Sequence, residues 1–523
     1  MDDARAISFS TRTRTRGRFV AALAAAALGA GVLTAVGTAP ASSVAAGATV
    51  TARGGALDAS ASVAAGLRPN FVLVTTDDQR LDEMAWMPRT RRLVGARGVT
   101  FDNAISPHPL CCPARAEILT GQLAHNNGVR HNTGRWGGYA AFSRENGRRH
   151  LGTWLTRAGY NTAFVGKFLN GYTARHGDQP GWRAWSATLA GTYRYTRFSM
   201  RVDGRTKRYD LARNRRHYVA DVVGDRGTDL VRRFARSDKP FFLWISHVGP
   251  HSARVDNRWV PPIPAPRHRR LFSDSRPPVL AQPNYLEADR SDKPAAVRAQ
   301  SAGRLDRLLR SHRQRIRSLR AVDEANSRLL ATLEDTGELD NTIVVFTSDN
   351  GYLQGEHQLW SKNWPYEESL RVPLLVRGPG IPAGRRRTQN ATLVDLPATF
   401  LQAARAPRAS TDGANLLPVL TQDRASVDTT LIQAGASRAP WRWRGVRTAR
   451  YTYMRWQSGA EELYDRQADP FQLENLLRPD QDPATAASYQ PVVEEMRTRF
   501  EQMKGCAGAT CRPELPPVPA PAG

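Results

Sequence analysis

The hydrophobic positions of this chain recur as short, unbroken runs of apolar and β-branched residues, each stopping abruptly at charged or small ones. Phe71 to Thr76 is the first and stops at Asp77-Asp78. Asn161 to Val165 leads to Gly166-Lys167, and Phe241 to Ser246 leads to His247 and then Pro250-His251. Thr342 to Ser348 leads to Asp349-Asn350-Gly351, and Val372 to Val376 to Arg377-Gly378-Pro379-Gly380. Runs without polar alternation are what a strand buried on both faces requires. Helical periods lie between them. Over 319–336, Val322, Ala325, Leu329 and Leu333 share a face, and Gly337 marks the stop. Strands alternating with helices predict an α/β fold with a large, mostly parallel sheet flanked by helices. In such sheets ligands gather beyond the carboxyl ends of the strands. Four of the five predicted strands end in acids, lysine or histidine, so these side chains are expected to converge.

Residues 252–318 break the rhythm. They are rich in Pro and Arg, with Pro261-Pro262 and Arg267 to Arg270, and turn helical toward the end. An insertion after a strand end is read as a functional or variable loop. From 426 the pattern shifts to short strands (Leu431–Ala434, Tyr451–Trp456, Glu462–Asp465) and a helix over 486–503. This predicts a main domain over 68–425 and a smaller C-terminal α+β subdomain over 426–505. A Pro-rich tail over 506–523 is expected to be disordered after 511. At the other end, Arg12, Arg14, Arg16 and Arg18 precede an apolar stretch from Phe19 to Val36 and then Ala39-Pro40-Ala41. That is the form of a signal peptide over 1–41, followed by a low-complexity linker over 42–67. An uncleaved anchor is the competing reading, since the run is near spanning length. No Arg-Arg pair supports a twin-arginine route, and export to a secreted or cell-surface location is expected.

Composition adds one departure from the ordinary. Of 523 residues 41% are hydrophobic, ample for a large core. Yet 74 Lys and Arg face 48 Asp and Glu, a net charge of +26. An anionic substrate, an anionic surface, nucleic acid or a merely solvated Arg-rich exterior would each account for it. The arginines are scattered, and no zinc-finger spacing or RRM signature occurs, so nucleic acid is not an expected partner. Of four cysteines, Cys506 and Cys511 predict a small local disulfide in an oxidising compartment. Adjacent cysteines such as Cys111 and Cys112 rarely bridge each other, and four thiols at these spacings do not make a zinc site.

Asp77-Asp78 places two mutually repelling carboxylates at a buried strand end, tolerable when a cation neutralises them. Asp349-Asn350 adds oxygen donors of the same hard kind, which suit calcium or magnesium. Helix capping by Asp-Asp and a turn at Asp-Asn-Gly are the alternatives. In Cys111-Cys112-Pro113-Ala114-Arg115, Pro113 fits a first helical turn. Cys111 then heads a helix, with Arg115 one turn on along the same face. Both features favour an anion there and make Cys111 a candidate low-pKa nucleophile.

Continued to Leu119-Thr120-Gly121, this segment resembles the C-x-P-x-R-x-x-x-L-T-G signature of the type I, formylglycine-dependent sulfatases. Further landmarks resemble the family in order: Pro69-Asn70 with Asp77-Asp78-Gln79, Ser348-Asp349-Asn350-Gly351 with Gly355-Glu356-His357, Tyr366-Glu367-Glu368 with Arg371-Val372-Pro373, Asp395-Leu396-Pro397-Ala398-Thr399, and Glu462-Leu463-Tyr464-Asp465. The resemblance spans 68 to about 480. It implies an alkaline-phosphatase-like sandwich and a catalytic role for 68–425. Metal ligands would be Asp77, Asp78, Asp349 and Asn350, completed by Cys111 as formylglycine (3-oxoalanine), made by the formylglycine-generating enzyme. The metal would be calcium, with magnesium the alternative. Arg115 would hold the aldehyde hydrate, Lys167 and Lys362 would grip sulfate oxygens, and His251 would lie near the leaving oxygen. His247 is assigned a structural role.

Two departures qualify the match. Leu169, in Lys167-Phe168-Leu169-Asn170, stands where many arylsulfatases have histidine. Together with Cys111-Cys112, it resembles the N-acetylglucosamine-6-sulfatase branch. Ser361 precedes Lys362 where glycine is more usual. The expected reaction is hydrolysis of sulfate esters, of sulfated glycans by the branch resemblance and the positive charge. An arylsulfatase, or a phosphate or phosphonate ester hydrolase of the same superfamily, is the alternative. A basic polyanion-binding protein without turnover is the rival from another class. Arg267, Arg269 and Arg270 in the insertion are the expected seat of glycan selectivity.

Overall fold

The computed structural model describes residues 68–522, apart from 190, 302, 425–426 and 438–440. The expected signal peptide and linker over 1–67 lie outside the described residues. Along the chain run β1 (Asn70–Asp77), β2 (Val99–Ile105), β3 (Asn161–Gly166), β4 (Ala184–Thr188), β5 (Arg197–Val202), β6 (Arg205–Asp210) and β7 (Phe241–Pro250). A short hairpin follows, β8 (Ala253–Val255) and β9 (Arg258–Val260), then β10 (Thr342–Ser348). A second hairpin, β11 (Leu353–Gln354) and β12 (Trp360–Ser361), precedes β13 (Leu374–Arg377) and β14 (Arg385–Thr392). Ten of these strands form one sheet in the order β14-β2-β13-β10-β1-β7-β3-β4-β5-β6.

The middle of that sheet is parallel. β10, β1, β7, β3 and β4 run the same way, so their carboxyl ends share one edge. Side chains alternate between two buried faces, as a two-period strand demands. Phe71 and Leu73 pack with Phe164, Phe242, Trp244 and Val345 on one face, and Val72 and Val74 with Val165, Leu243, Ile245 and Phe346 on the other. Helices α1 (Cys111–Thr120) and α4 (Asp395–Ala403) cover the first face through Ile118, Leu396 and Phe400. Helices α2 (Val219–Phe234) and α3 (Leu305–Asp335) cover the second through Val223, Leu230, Leu319 and Leu329. The expected helix-flanked sandwich is present.

All five predicted strands exist, with one correction. The run at 372–376 is the strand Leu374–Arg377, and it lies antiparallel to β10. β2, β4–β6 and β14 carried no unbroken apolar run; β6, Arg-Thr-Lys-Arg-Tyr-Asp, is an exposed edge. The helix predicted over 319–336 is the second half of α3. Its first half is Arg-rich, yet still buries His312 and Arg315. The insertion is structured, and Arg267 is committed within it: its guanidinium pairs with Asp221 at 2.7 Å and Glu324 at 2.9 Å. That side chain is paired but still exposed, as are Arg269 and Arg270.

The C-terminal subdomain is an antiparallel sheet of β15 (Thr430–Ala434), β16 (Trp443–Arg447), β17 (Tyr451–Trp456) and β18 (Glu461–Asp465), backed by α5 (Pro483–Met503). It shares a core with the main sheet: Ile432, Trp443, Met454 and Trp456 pack with Ile105, Trp364, Tyr366 and Leu370. The tail after 511 departs from its expected disorder. Pro516 O accepts from Arg499, the amide of Ala522 donates to Ser488 O at 2.8 Å, and Val518 packs on α5. Proline-rich chain without helix or strand is held here by α5 rather than by its own core.

One ion pair pins the two sheets. Arg447 on β16 donates Nε and NH2 to Glu367 at 2.8 Å each, and both groups are buried. Burial pushes the Glu367 carboxyl up, but Arg447 and Arg466 outweigh it and hold it well below 4.5. Breaking one side of such a pair leaves the other charge uncompensated. Glu367→Leu is therefore expected to cost about 3–5 kcal/mol in denaturant unfolding. In the intact protein the pair's contribution is full above the unfolded carboxyl's pKa near 4.5 and is lost as pH falls toward the lower folded value.

Candidate active site

Four strand ends deliver the predicted polar residues to one place. β1 ends in Asp77, and Asp78 follows with a left-handed φ of 66°. β10, paired in register beside it, hands over to Asp349 and Asn350. The Asp78 amide donates to Asp349 Oδ1 at 3.1 Å, and Asn350 Nδ2 donates to Asp78 Oδ1 at 2.8 Å. Arg315, from the first half of α3, donates to Asp78 O at 2.5 Å while pairing with Glu83. The two acidic corners are thereby locked from behind.

β3 ends at Gly166, whose φ of 108° swings Lys167 toward Asp77; the Lys167 ammonium pairs with Asp77 Oδ2. Lys362 reaches the site from the loop after β12 and pairs with Asp78 Oδ1, its Nζ 3.2 Å from Cys111 Sγ. Ser361 holds a φ of 83°, and His357, Gln358 and Asn363 are left-handed too. Positive φ at Ser361 explains why glycine is the more usual residue there.

Cys111 opens α1, with Leu110 extended before it and Pro113 in the first turn. Its Sγ lies 3.4 Å from Asp77 Oδ1. The Cys112 amide donates to Asn132 Oδ1 at 2.8 Å, and Cys112 Sγ accepts from the Asn170 amide. Gly121 ends the helix with a φ of 63°, the left-handed stop that the Leu-Thr-Gly motif supplies. Arg115 donates to Asp349 Oδ2 at 2.9 Å, to Lys167 O at 2.7 Å and to Ser246 Oγ at 2.5 Å. Three anchors leave it no rotational freedom.

The helix N-terminus led to an expectation of a low-pKa thiol, and the structure reverses it. Burial pushes the Cys111 thiol up, Asp77 adds to this, and Lys167 and Lys362 do not compensate. Burial likewise raises Asp349, to about 6, with Asp77 adding and Arg115 opposing. For Asp77, burial is outweighed by Lys167, His251, Arg115 and Lys362, which hold the carboxyl well down.

His251, just past β7, sets Nε2 3.6 Å from Asp78 Oδ2 and Nδ1 2.8 Å from Ser252 O. A carbonyl only accepts, so Nδ1 carries a hydrogen and Nε2 is the atom facing the acids. Burial brings this imidazole down to about 4 against the pull of Asp78. His247 is buried and apart from this group, with its pKa brought down to about 3 by burial and Arg328. Sequence reasoning missed Arg315, Asn132, Ser246 and Tyr193. The Tyr193 ring lies 5.0 Å from Lys167 Nζ and 4.4 Å from the His251 ring. Only Asn132 and Ser246 sit close to motifs already marked. At the far end, Cys506 and Cys511 are joined, S–S 1.98 Å.

The donors fit a hard cation. Asp77, Asp78 and Cys111, three of the expected ligands, each bring one ligand atom within 4.8 Å of one another and of His251, which was not among them; Asp349, which was, lies outside this group with its Oδ2 taken by Arg115 at 2.9 Å. Asn350 Oδ1 is buried without a hydrogen-bond partner, while its Nδ2 is engaged. An orphaned amide oxygen among three carboxylates is what a cation bound by oxygens would satisfy.

Comparison with known proteins identifies the family. The Sulfatase family model matches residues 69–406, and a second, N-sulphoglucosamine sulphohydrolase, C-terminal, matches 355–505. The chain belongs to the sulfatase family. It is 36% identical to an arylsulfatase of Volvox carteri over 62% of this chain, and so spans about half, 52%, of that protein's length. It is 30% identical to N-acetylglucosamine-6-sulfatase of Capra hircus, across 88% of this chain and 87% of that one. A protein solved in complex with its substrate D-glucosamine-2-N,6-O-disulfate superposes with a TM-score of 0.71 and 25% identity, covering 84% of this chain and 98% of that one.

Gly166 is the backbone hinge of the site. A Cβ there would lie 1.9 Å from Ser246 O, in addition to the left-handed φ. Gly166→Ala is expected to destabilise the protein by more than about 2 kcal/mol in thermal unfolding, beyond the left-handed penalty alone.

Proposed function

We propose that this protein hydrolyses sulfate esters of glycans, of the N-acetylglucosamine-6-sulfate type. The observation that carries the reading is the convergence of Cys111 with three carboxylates, Asn350, Arg115 and two lysines at the carboxyl edge of the sheet. A divalent cation held by Asp77, Asp78, Asp349 and Asn350, calcium or else magnesium, would polarise the sulfate oxygens as a Lewis acid. Cys111, converted to formylglycine by the formylglycine-generating enzyme, would supply a hydrated aldehyde hydroxyl as nucleophile. Because Cys111 is 1% exposed, that conversion has to precede folding. The N-terminal segment over 1–41 serves as the export signal in this reading. Among the described residues no helix is long and apolar enough to cross a membrane.

The remaining roles follow from position. Arg115, fixed by Asp349, Lys167 O and Ser246, presents a rigid cationic fork beside residue 111 and orients it. Lys167 and Lys362 flank the same point from opposite sides and would bind the sulfate oxygens, stabilising charge that builds up as the ester bond breaks. His251 holds Nε2 toward the acids because Nδ1 is pinned on Ser252 O, and once Nε2 takes up a proton alongside the anionic ester it would donate that proton to the departing alcohol. The buried surround excludes bulk water from these charges, which strengthens each interaction. The N-acetylglucosamine-6-sulfate assignment is supported by the Capra hircus relative and by the sulfated glucosamine substrate of the structural neighbour.

Sulfate release from N-acetylglucosamine-6-sulfate, with a phosphate monoester in parallel, tests the reading. Cys111→Ala is expected to lower turnover by at least about 10³-fold. Peptide mass spectrometry across residue 111 of active protein should find the aldehyde in place of the thiol. Full activity with an intact thiol, or preferential phosphate release, would overturn the reading.

Cation removal gives a separate check. Dialysis against a chelator is expected to abolish sulfate release, with recovery on adding calcium or magnesium back. Binding at the cage should also raise the melting temperature, since a ligand held only by the folded state stabilises it. A melting temperature unmoved by either ion would count against the cage.

A further inference from the structure

Most buried arginines of this protein have a carboxylate: Arg115 has Asp349, Arg315 has Glu83 and Arg447 has Glu367. A less buried group beside the candidate active site does not: Arg130 and Arg442 are half-buried and Arg135 is exposed. Arg130, Arg135 and Arg442 pair with no carboxylate among the described residues, and Arg130 Nε is inaccessible with no hydrogen-bond partner. Each guanidinium lies over tryptophan instead. Arg130 is 4.7 Å from the Trp441 ring and 5.9 Å from Trp136, and Arg135 is 5.5 Å from Trp136. Arg442 sits 3.8 Å over Trp364, and Arg444 is 4.7 Å from Trp441. Stacking engages the face of a guanidinium and leaves its fork of in-plane N–H donors available. Burial, with Arg130 beside it, brings the Arg444 guanidinium down to about 10, so the cluster is short of negative charge.

The cluster is built and adjoins the chemistry. The turn over 130–138 closes on itself through Arg130 N to Trp136 O at 2.7 Å and a bridge between His131 and Gly137. It fits closely against the C-terminal subdomain: a Cβ on Gly134 would lie 2.6 Å from Ser437 O, and one on Gly435 2.3 Å from Arg130 O. From this turn Asn132 accepts the amide of Cys112. On the other side, Trp364 under Arg442 lies two residues from Lys362, and Asn363 between them accepts from Trp443 Nε1 at 3.2 Å. Both arms of the cluster thus reach the residues flanking Cys111.

We infer that Arg130, Arg135 and Arg442, with Trp136 and Trp441, form a second binding site. It would hold an anionic group of a sulfated oligosaccharide one or more sugar units from the ester that is cleaved. The guanidinium forks match sulfate and carboxylate oxygens in bidentate geometry, and the tryptophan faces beneath them hold them in place. This rests on the sulfated-glycan reading above. It assigns selectivity to the joint between the two sheets rather than to Arg267.

Binding is read by calorimetry on the full chain carrying Cys111→Ala, and KM on the Cys111-containing protein. The probes are a heparin-derived tetrasaccharide, N-acetylglucosamine-6-sulfate monosaccharide and a single-stranded DNA of equal charge. The paired change Arg130→Gln with Arg442→Gln should weaken tetrasaccharide binding at least about tenfold and raise its KM in parallel, with the monosaccharide changed less than about twofold. Arg135→Gln, exposed and free of folding consequences, and Trp441→Ala should each weaken the tetrasaccharide alone, and carry the test if the paired variant fails to fold. Equal effects on both sugars, no effect of any variant, or DNA held as tightly by the same arginines would overturn the inference. Expected binding without sulfate release from any probe would sink the catalytic reading and leave this site standing. Normal release without arginine dependence would do the reverse.

Discussion

Three carboxylates held at the ends of two neighbouring parallel strands are the constraint on which the rest of this protein depends. Asp77, Asp78 and Asp349 are fully buried, and left alone they would repel one another and protonate. Lys167, Lys362 and Arg115 oppose them one for one. The balance closes at zero without any further ion. A divalent cation in the same cage would leave the pocket at a net of two positive charges, the sign that an ester anion needs. The site is thus neutral in its own contacts and would become cationic on binding such an ion.

Holding such a group demands rigidity from outside it. Arg315 closes on the Asp78 carbonyl from α3, while Arg80 pairs with Glu356 and reaches Tyr352 O, tying the acidic corner to the hairpin before Lys362. Left-handed backbone at Asp78, Gly166 and Ser361 concentrates around the site. Strain of this kind persists where surrounding packing over-determines it, and here that packing is the double-sided core of the parallel strands. The core therefore sets the precision of the site as well as the stability of the fold.

Much of this was legible in sequence because parallel strands buried on both faces advertise themselves. Unbroken apolar runs located β1, β3, β7 and β10, and the polar residues at their ends were the ones that met. The signature from Cys111 to Gly121 identified the start of the helix and Arg115. What stayed hidden lacked a local signal. β6 is charged throughout, the Arg-rich start of α3 masked a buried Arg315, and Tyr193 reaches the site from a segment with no motif. The thiol was misjudged from local geometry: a helix N-terminus favours the thiolate, yet burial beside Asp77 dominates. The partners of Arg267 were hidden too, since a basic run in sequence carries no information about Asp221 and Glu324 across the fold.

The same reasoning separates the surface arginines by what they lack. An arginine with a carboxylate partner has its charge spent on structure, and the net excess of +26 has to reside elsewhere. In the described residues the tryptophan-stacked guanidiniums between the turn over 130–138 and β16 are where that excess is both ordered and adjacent to Cys111. A uniformly basic exterior would steer any polyanion with equal force, and salt would screen it. Guanidiniums preoriented on aromatic faces select instead by the spacing of anionic groups around a ring. On the proposal made above, recognition would be a property of the joint between the two sheets that the Glu367–Arg447 pair pins.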